Sequence, residues 1–272
     1  MPASAVVTGA DLGIGGAVVR GLRRRLAPGA VVREAAADQL PDAPAARALA
    51  ASAAAAGGGG VDIVIVHTTG AVASGLRMAD QVRDYIELNN HGVHRLMAAF
   101  SPVLRDGARF VVVSGALGSL DHLPQGLRDR FDGPDADLPQ LARVLDGYVA
   151  AVEDGTAADQ GWPAWIEVAS RVAQVAAVRA FARAVAAGPH RGVLVNAVAP
   201  GPDDPVEDIL RVATLPDGAG PVGIHAAAPL SAVLPAAGPP AGTRLPHGTL
   251  IVGRTPVPFM RARLADRSVN SR

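Results

Sequence analysis

Thr8-Gly9-Ala10-Asp11-Leu12-Gly13-Ile14-Gly15 is the stretch that decides the fold. Before it stands Ser4-Ala-Val-Val-Thr8, a short apolar run that reads as a buried strand. After it Ala17, Val18, Leu22 and Leu26 recur at helical spacing, with arginines between them, until Pro28-Gly29 ends the helix. A glycine cluster between strand and helix makes a tight turn whose backbone N–H groups can reach an anion. The helix N-terminus adds partial positive charge. A plain close strand–helix turn gives the same pattern. Asp11 puts a carboxylate inside the loop, either as a helix cap or as a group that repels an anion. Gly9, Asp11, Gly13, Ile14 and Gly15 are the candidate anion-contacting residues.

Outward from the loop, strand-like and helix-like segments alternate. Ala30–Arg33 reads as a second, weaker strand, and Ala43–Ala56 as an Ala-rich helix stopped by Gly57–Gly60. Val61–Val66 is the clearest strand, Met78–Leu104 reads as one or two helices, and Ala108–Val113 as another buried strand. Residues 119–161 are mixed, with helix near 138–153, and Trp165–Ala187 is a strong helix. Gly192–Val198 and Thr249–Gly253 close the set of strands, with a Pro- and Gly-rich, irregular stretch at 203–247 between them. Such alternation predicts a parallel α/β sheet, and 272 residues suit one large domain.

Composition removes several chemistries. The chain has no Cys, hence no disulfide, thiolate metal site or Cys nucleophile. It has no Lys either; all 25 basic residues are Arg, a usage typical of GC-rich bacterial genes. Formal net charge is zero, with no basic stripe to suggest nucleic acid. The longest uncharged stretch, Gly218–Thr243, is broken by five prolines and cannot span a membrane. No signal-like segment opens the sequence, so a soluble cytoplasmic protein is expected.

The complete Thr-Gly-x-x-x-Gly-x-Gly loop resembles that of the short-chain dehydrogenase/reductase family, over residues 3–202 with a last strand at 249–253. Asn89 in Leu-Asn-Asn-His-Gly92 matches the family's helix Asn. Val113-Ser114-Gly115 stands where the family has Val-Ser-Ser, and Pro200-Gly201 follows a strand as the family's Pro-Gly does. The segment before Gly161-Trp162-Pro163 is similar to the insertion of the carbonyl-reductase branch. The resemblance implies a Rossmann-like doubly wound parallel sheet with helices on both faces, an NAD(P)H site at Gly9–Gly15, and hydride transfer to a carbonyl.

The chain departs from that family where the chemistry is done. Aligned on Gly161-Trp162-Pro163, the catalytic Tyr position holds Glu167 and the Lys position Arg171. The catalytic Ser position is Gly115, and the family's Asn-Asn-Ala-Gly is His67-Thr68-Thr69-Gly70, so only Asn89 remains. Carbonyl reduction needs a positioned acid, and a carboxylate paired with Arg accepts protons better than it donates them. The sheet is also shortened between strands 2 and 4. Asp38–Gly60 leaves room for one helix, so a strand and a helix are missing, and the survivor is the second or the third strand. Arg33 either meets a 2′-phosphate or is an exposed strand residue. NAD(P)H binding is therefore vestigial, or no cofactor is required.

Glu167 and Arg171 share a helix face, either as a surface ion pair or as a general base with an anion clamp. His67 ends the most apolar strand, where ligands sit in open sheets, or is a satisfied strand-end His. Ser114, Gly115, Pro200 and Gly201 are candidate substrate-binding residues, and so are Asp121 and His122, which follow the Ser114 strand near the expected cleft mouth as a base pair or only a polar loop. Trp162 and Trp165 line an apolar pocket or pack in the core. His91 and His94 lie one turn apart without further metal ligands and are taken as helix residues. The leading expectation is a non-redox enzyme acting on a small, hydrophobic, oxygenated metabolite, by cyclisation, isomerisation, dehydration or lyase chemistry, in bacterial secondary metabolism. A non-catalytic binding or partner protein and a reductase with non-standard residues are the alternatives. A monomer is expected, because the insertion covers the family's pairing surface; a homodimer is the other possibility.

Overall fold

A computed structural model of the chain describes residues 3–11, 13–36, 42–68, 70–133, 136–214, 247–253 and 255–260. Its centre is a seven-stranded sheet in the order β2-β1-β3-β4-β5-β6-β7. The strands are β1 Ser4–Thr8, β2 Val31–Ala35, β3 Val61–His67, β4 Leu104–Val113, β5 Leu194–Ala199, β6 Thr249–Val252 and β7 Thr255–Val257. All neighbours run parallel except β6 and β7. The near-continuous apolar runs of β1, β3 and β4 fit this arrangement, because a parallel sheet is buried on both faces.

Helices cover both faces. On one side α1 (Gly13–Arg25) and α8 (Pro205–Ala213) pack on Val7, Ile63, Ile65, Val111 and Val113. Gly21 allows that contact, since a Cβ there would lie 2.3 Å from a Leu210 methyl. On the other side lie α2 (Ala43–Ala56), α3 (Val82–Ile86), α4 (Gly92–Phe100), α5 (Gln125–Asp132), α6 (Leu138–Glu153) and α7 (Ile166–Ala186). They pack on Val6, Val64, Val66, Phe110 and Val112, the alternate residues of the same strands.

The doubly wound order of this fold runs 3-2-1-4-5-6, and among the described residues its outermost strand is absent. β2 pairs with β1 from Ser4↔Val31 to Thr8↔Ala35, which makes the survivor the second strand. The chain then passes through α2 to β3 on the other side of β1. Asp42 starts α2, its side chain accepting from the Ala45 N–H at 2.7 Å.

Two sequence expectations need correction. The 203–247 region is not wholly irregular: α8 lies within it, its first turn set by Asp204 accepting from the Glu207 N–H at 3.1 Å and by Pro205. Residues 215–246 lie outside the described residues. The 78–104 stretch is also more broken than one or two helices. Short 3₁₀ turns at Met78–Asp80 and Ser101–Val103 flank it, and Glu87–His91 winds as a π-helix between α3 and α4. In the insertion, α6 packs against α3 and α7. Among the described residues no helix is long and apolar enough to cross a membrane.

Candidate functional site

The three loop glycines serve different ends. Gly9 has φ +63°, and a Cβ there would lie 2.5 Å from the His67 carbonyl oxygen. At Gly15 a Cβ would lie 2.0 Å from the Gly9 carbonyl oxygen, so this glycine closes the helix onto the turn. A Cβ at Gly13 would meet nothing within 4 Å. A tight turn, an open backbone face and a close helix contact are the three roles that a diphosphate-binding loop assigns to its glycines. Ile14 is half-buried against the α1 side of the core, and Asp11 is exposed.

His67 ends β3 directly beside this turn. Thr8 Oγ1 ties the two strands, accepting from the His67 N–H at 3.1 Å and donating to the His67 carbonyl at 3.3 Å. The His67 ring is buried, and its Nδ1 lies against the Gly9 backbone without a well-formed hydrogen bond. Burial pushes its pKa below the ordinary histidine value. The Gly9 backbone opposes that shift, the Arg171 cation adds to it, and Asp11 opposes it. His67 is therefore neutral at pH 7.

The polar network opposite the loop centres on a residue that the sequence reading passed over, Gln174. Its Oε1 accepts from Ser114 Oγ at 2.8 Å and from the Arg171 guanidinium at 2.9 Å, and its Nε2 donates to the Asn89 carbonyl at 2.7 Å. One buried amide thus joins the end of β4, the face of α7 and the π segment. Asn89 Nδ2 donates to the Tyr85 carbonyl at 3.0 Å and to the Gly70 carbonyl at 3.4 Å, while its buried Oδ1 has no partner. Gly70 admits this approach, because a Cβ there would stand 2.3 Å from Asn89 Nδ2. Next to it Asn90 and Ser170 exchange bonds at 2.7 and 2.9 Å. The π turn presents the Asn90 side chain and the Asn89 carbonyl to α7. A signal was there: Glu167, Arg171 and Gln174 fall at i, i+4 and i+7 on a largely apolar helix.

Glu167 and Arg171 share that helix face but diverge. Among the described residues they form no ion pair. The Arg171 stem lies over Gly115, its Nε 3.4 Å from where a Cβ would stand. Glu167 sits in the first turn of α7, half-buried, near enough to Tyr85 on α3 and Tyr148 on α6 to raise both phenol pKa values. For Tyr148, burial is the larger cause, and the value reaches about 12. Burial also leads for Tyr85, which Arg171 and a Ser170 hydrogen bond pull the other way.

The remaining candidates fall outside this network. Trp162 is core: it packs on Tyr148 with ring centroids 4.7 Å apart and on Phe131 at 6.2 Å. Trp165, 67% exposed, stands before the first turn of α7. Asp121 and His122 are exposed and tied to Ser119, with His122 Nδ1 3.1 Å from its carbonyl. The Gly201 N–H is spent on Asp208 at 2.8 Å, and Pro200 is half-buried beside it. His94 is buried on α4, and His91 lies 3.2 Å from Asp146. Among the described residues no cluster could hold a metal. A hollow of about 400 Å³ lined by Arg23, Arg24, Leu26 and Val32 lies at the far end of α1 from the glycine loop.

The residues fit a diphosphate better than a whole dinucleotide. The loop offers its backbone at Gly13, and Thr68 Oγ1, one residue past His67, is buried without a partner. On the adenine side the fit fails. Glu34 is held by Arg23 at 2.6 Å, Arg33 lies mid-strand in register with Val6, and no third strand stands beyond β2 among the described residues.

No family model matches the chain, and no curated protein matches it. Solved structures do. Menthone neomenthol reductase from Mentha piperita is similar at 21% identity and TM-score 0.65, over 80% of this chain and 96% of that one. Salutaridine reductase from Papaver somniferum is similar at 17% identity and TM-score 0.66, over 80% and 97%. The 3-alpha-hydroxysteroid dehydrogenase from Pseudomonas sp. B-0831, complexed with NADH, is similar at 18% identity and TM-score 0.54, over 91% and 93%. The chain has the fold of the short-chain dehydrogenases/reductases.

Proposed function

We propose that this chain uses the reductase-fold cleft for proton transfer rather than hydride transfer, on a small, hydrophobic, oxygenated metabolite. The observation that carries this reading is Glu167: a half-buried carboxylate with no cation paired to it among the described residues, at the position that the family resemblance assigns to the reductase acid. A reductase at this site needs a group that gives a proton to the nascent alkoxide. Tyr85 and Tyr148 are buried and hold their protons more tightly than a free phenol, and Gly115 has no hydroxyl. A carboxylate suits the reverse task.

In the proposed reaction Glu167 takes the proton from a carbon next to a carbonyl. The C–H electron pair moves into the C–C bond, and the carbonyl π pair moves onto oxygen, giving an enolate. Arg171 offsets that charge. Return of the proton to another carbon isomerises the substrate; loss of a β-hydroxyl as water dehydrates it. Neutral His67 serves as the second proton carrier.

The test is a panel of cyclic and acyclic ketones in D₂O, with and without NADPH. The expected result is deuterium at the α-carbon with no NADPH oxidised, and an exchange rate lowered about 10²- to 10⁴-fold by Glu167→Gln. A second reading, a reductase with non-standard residues, is favoured by the open backbone face at Gly13. NADPH oxidation that Glu167→Gln leaves unchanged would replace the first reading by the second.

A further inference from the structure

We infer that the substrate of this cleft carries a carboxylate, held by Arg171 in a setting fixed by Gln174. The inference rests on the proton-transfer reading for what happens at Glu167, but not for the anion site itself.

Arg171 is a permanent cation, since guanidinium does not lose its proton in proteins. It is half-buried, and among the described residues its one hydrogen bond goes to a neutral amide, Gln174 Oε1 at 2.9 Å. Its natural partner is one turn away, because Glu and Arg at i, i+4 ordinarily pair. They do not pair here, because Gln174 holds the guanidinium on the strand side of α7. Gln174 has no freedom to release it. Its Nε2 must donate to the Asn89 carbonyl at 2.7 Å, so its Oε1 must face Ser114 and Arg171. Gln174 is a positioning residue for a cation that has no counter-charge among the described residues.

An uncompensated cation in such a place calls for an anionic ligand. Arg has five N–H donors, and most of those on Arg171 remain for a ligand; its planar fork matches a carboxylate with two parallel bonds. Ser114 gives its proton to Gln174 and keeps its lone pairs for a second polar atom. Asn89, whose carbonyl holds Gln174, and Thr68 each have a buried side-chain oxygen without a partner among the described residues, Asn89 Oδ1 and Thr68 Oγ1. Gly115 leaves the floor below the guanidinium bare. The ligand is thus a carboxylate with hydrogen-bonding oxygens, placed so that its neighbouring carbons reach Glu167, one helical turn away. A second carboxylate built into the protein at this point would do the same to the cation as the ligand does.

The test compares 4-oxopentanoate with its methyl ester, read by the His67 ring signal in a proton NMR titration and by calorimetry. His67→Gln assigns the signal. His67 faces Arg171 and Asp11, and the cation depresses its pKa. A carboxylate on Arg171 therefore raises the His67 midpoint, and the ester does not. Binding of the acid should exceed that of the ester at least tenfold. Arg171→Met, which keeps the stem over Gly115, should remove that preference. Gln174→Glu should mimic the ligand, raising the His67 midpoint with none added and blocking the acid. Equal binding of acid and ester, no binding of either, or an Arg171→Met protein that still prefers the acid overturns the inference. Acid-selective binding without deuterium exchange leaves it standing and sinks the proton-transfer reading. Exchange that is equally fast for acid and ester does the opposite.

Discussion

The glycine loop and the α7 network face each other across the C-terminal ends of the same strands, and they are built in opposite ways. The loop is built from backbone. Its pattern is complete, and two of its glycines are needed by sterics alone: Gly9 against His67, Gly15 against Gly9. The network is built from side chains. There Arg171 lies over Gly115, and Ser114, Arg171, Gln174 and Asn89 are bonded to one another. A backbone site cannot drift without breaking the turn that carries it. Its persistence therefore says more about the fold than about a ligand. A side-chain site can be rewritten while the helices stay in place, so its contents speak for the chemistry.

The largest expected effect tests the steric half of that contrast. Gly15→Ala puts a Cβ at 2.0 Å from a backbone oxygen that no rotamer can relieve. The expected cost is about 3 kcal/mol or more, and a fall of about 10 °C in melting temperature. A melting temperature within a degree of the parent would show that the turn is looser than the contrast requires.

A smaller effect separates the two regions by pH. His94, on α4 behind the π segment, is pushed down to about 3, first by burial and then by the neighbouring His91 and Arg95 charges. The unfolded chain takes up this proton near pH 6.5 while the folded one does not. His94 therefore supports the fold fully above pH 6.5, and that support is lost as pH falls toward 3. By pH 5 about 2 kcal/mol of it is gone. Denaturant titrations of the parent and of His94→Leu, run at pH 7 and pH 5, measure this. The stability lost between the two pH values should be smaller in the variant by that amount. Equal losses would place the acid sensitivity elsewhere.

What the sequence disclosed follows the same division. Strand β1, the loop and α1 were legible because apolar run, glycines and helical spacing are all local. The missing third strand was legible as a length, and only the pairing of Ser4 with Val31 shows which strand survived. Helix α8 was hidden by the prolines around it, although Asp204-Pro205 is itself a helix start. In the site, the Glu167 and Arg171 positions came from the family resemblance at Gly161-Trp162-Pro163, and their shared helix face from the i, i+4 spacing. That they do not pair depends on Gln174, whose three partners lie 3, 60 and 85 residues away in the chain. No local pattern contains that information. Trp162 was ambiguous for the same reason: rarity and position do not tell a pocket wall from a core ring, and its contacts with Tyr148 and Phe131 do.

The smallest expected change in stability bears most on what the loop is for. Gly13 is the one glycine of the motif with no steric reason to be glycine: a Cβ meets nothing within 4 Å, and its φ is not positive. It is also the first residue of α1, where alanine is the better helix former. Gly13→Ala should thus leave stability unchanged or raise it by about 0.4–1 kcal/mol. If the loop serves only as a turn, nothing else changes. If a diphosphate lies on it, the new methyl stands where the backbone must approach the ligand, and affinity falls. Calorimetric titration of both proteins with NADPH, NADH and inorganic pyrophosphate decides between the two. Tight binding by the parent that the variant loses by tenfold or more would make the loop a working site and restore weight to the reductase reading. Failure of both proteins to bind at millimolar ligand would leave Gly13 as a relic of the fold, with the chemistry confined to the α7 side.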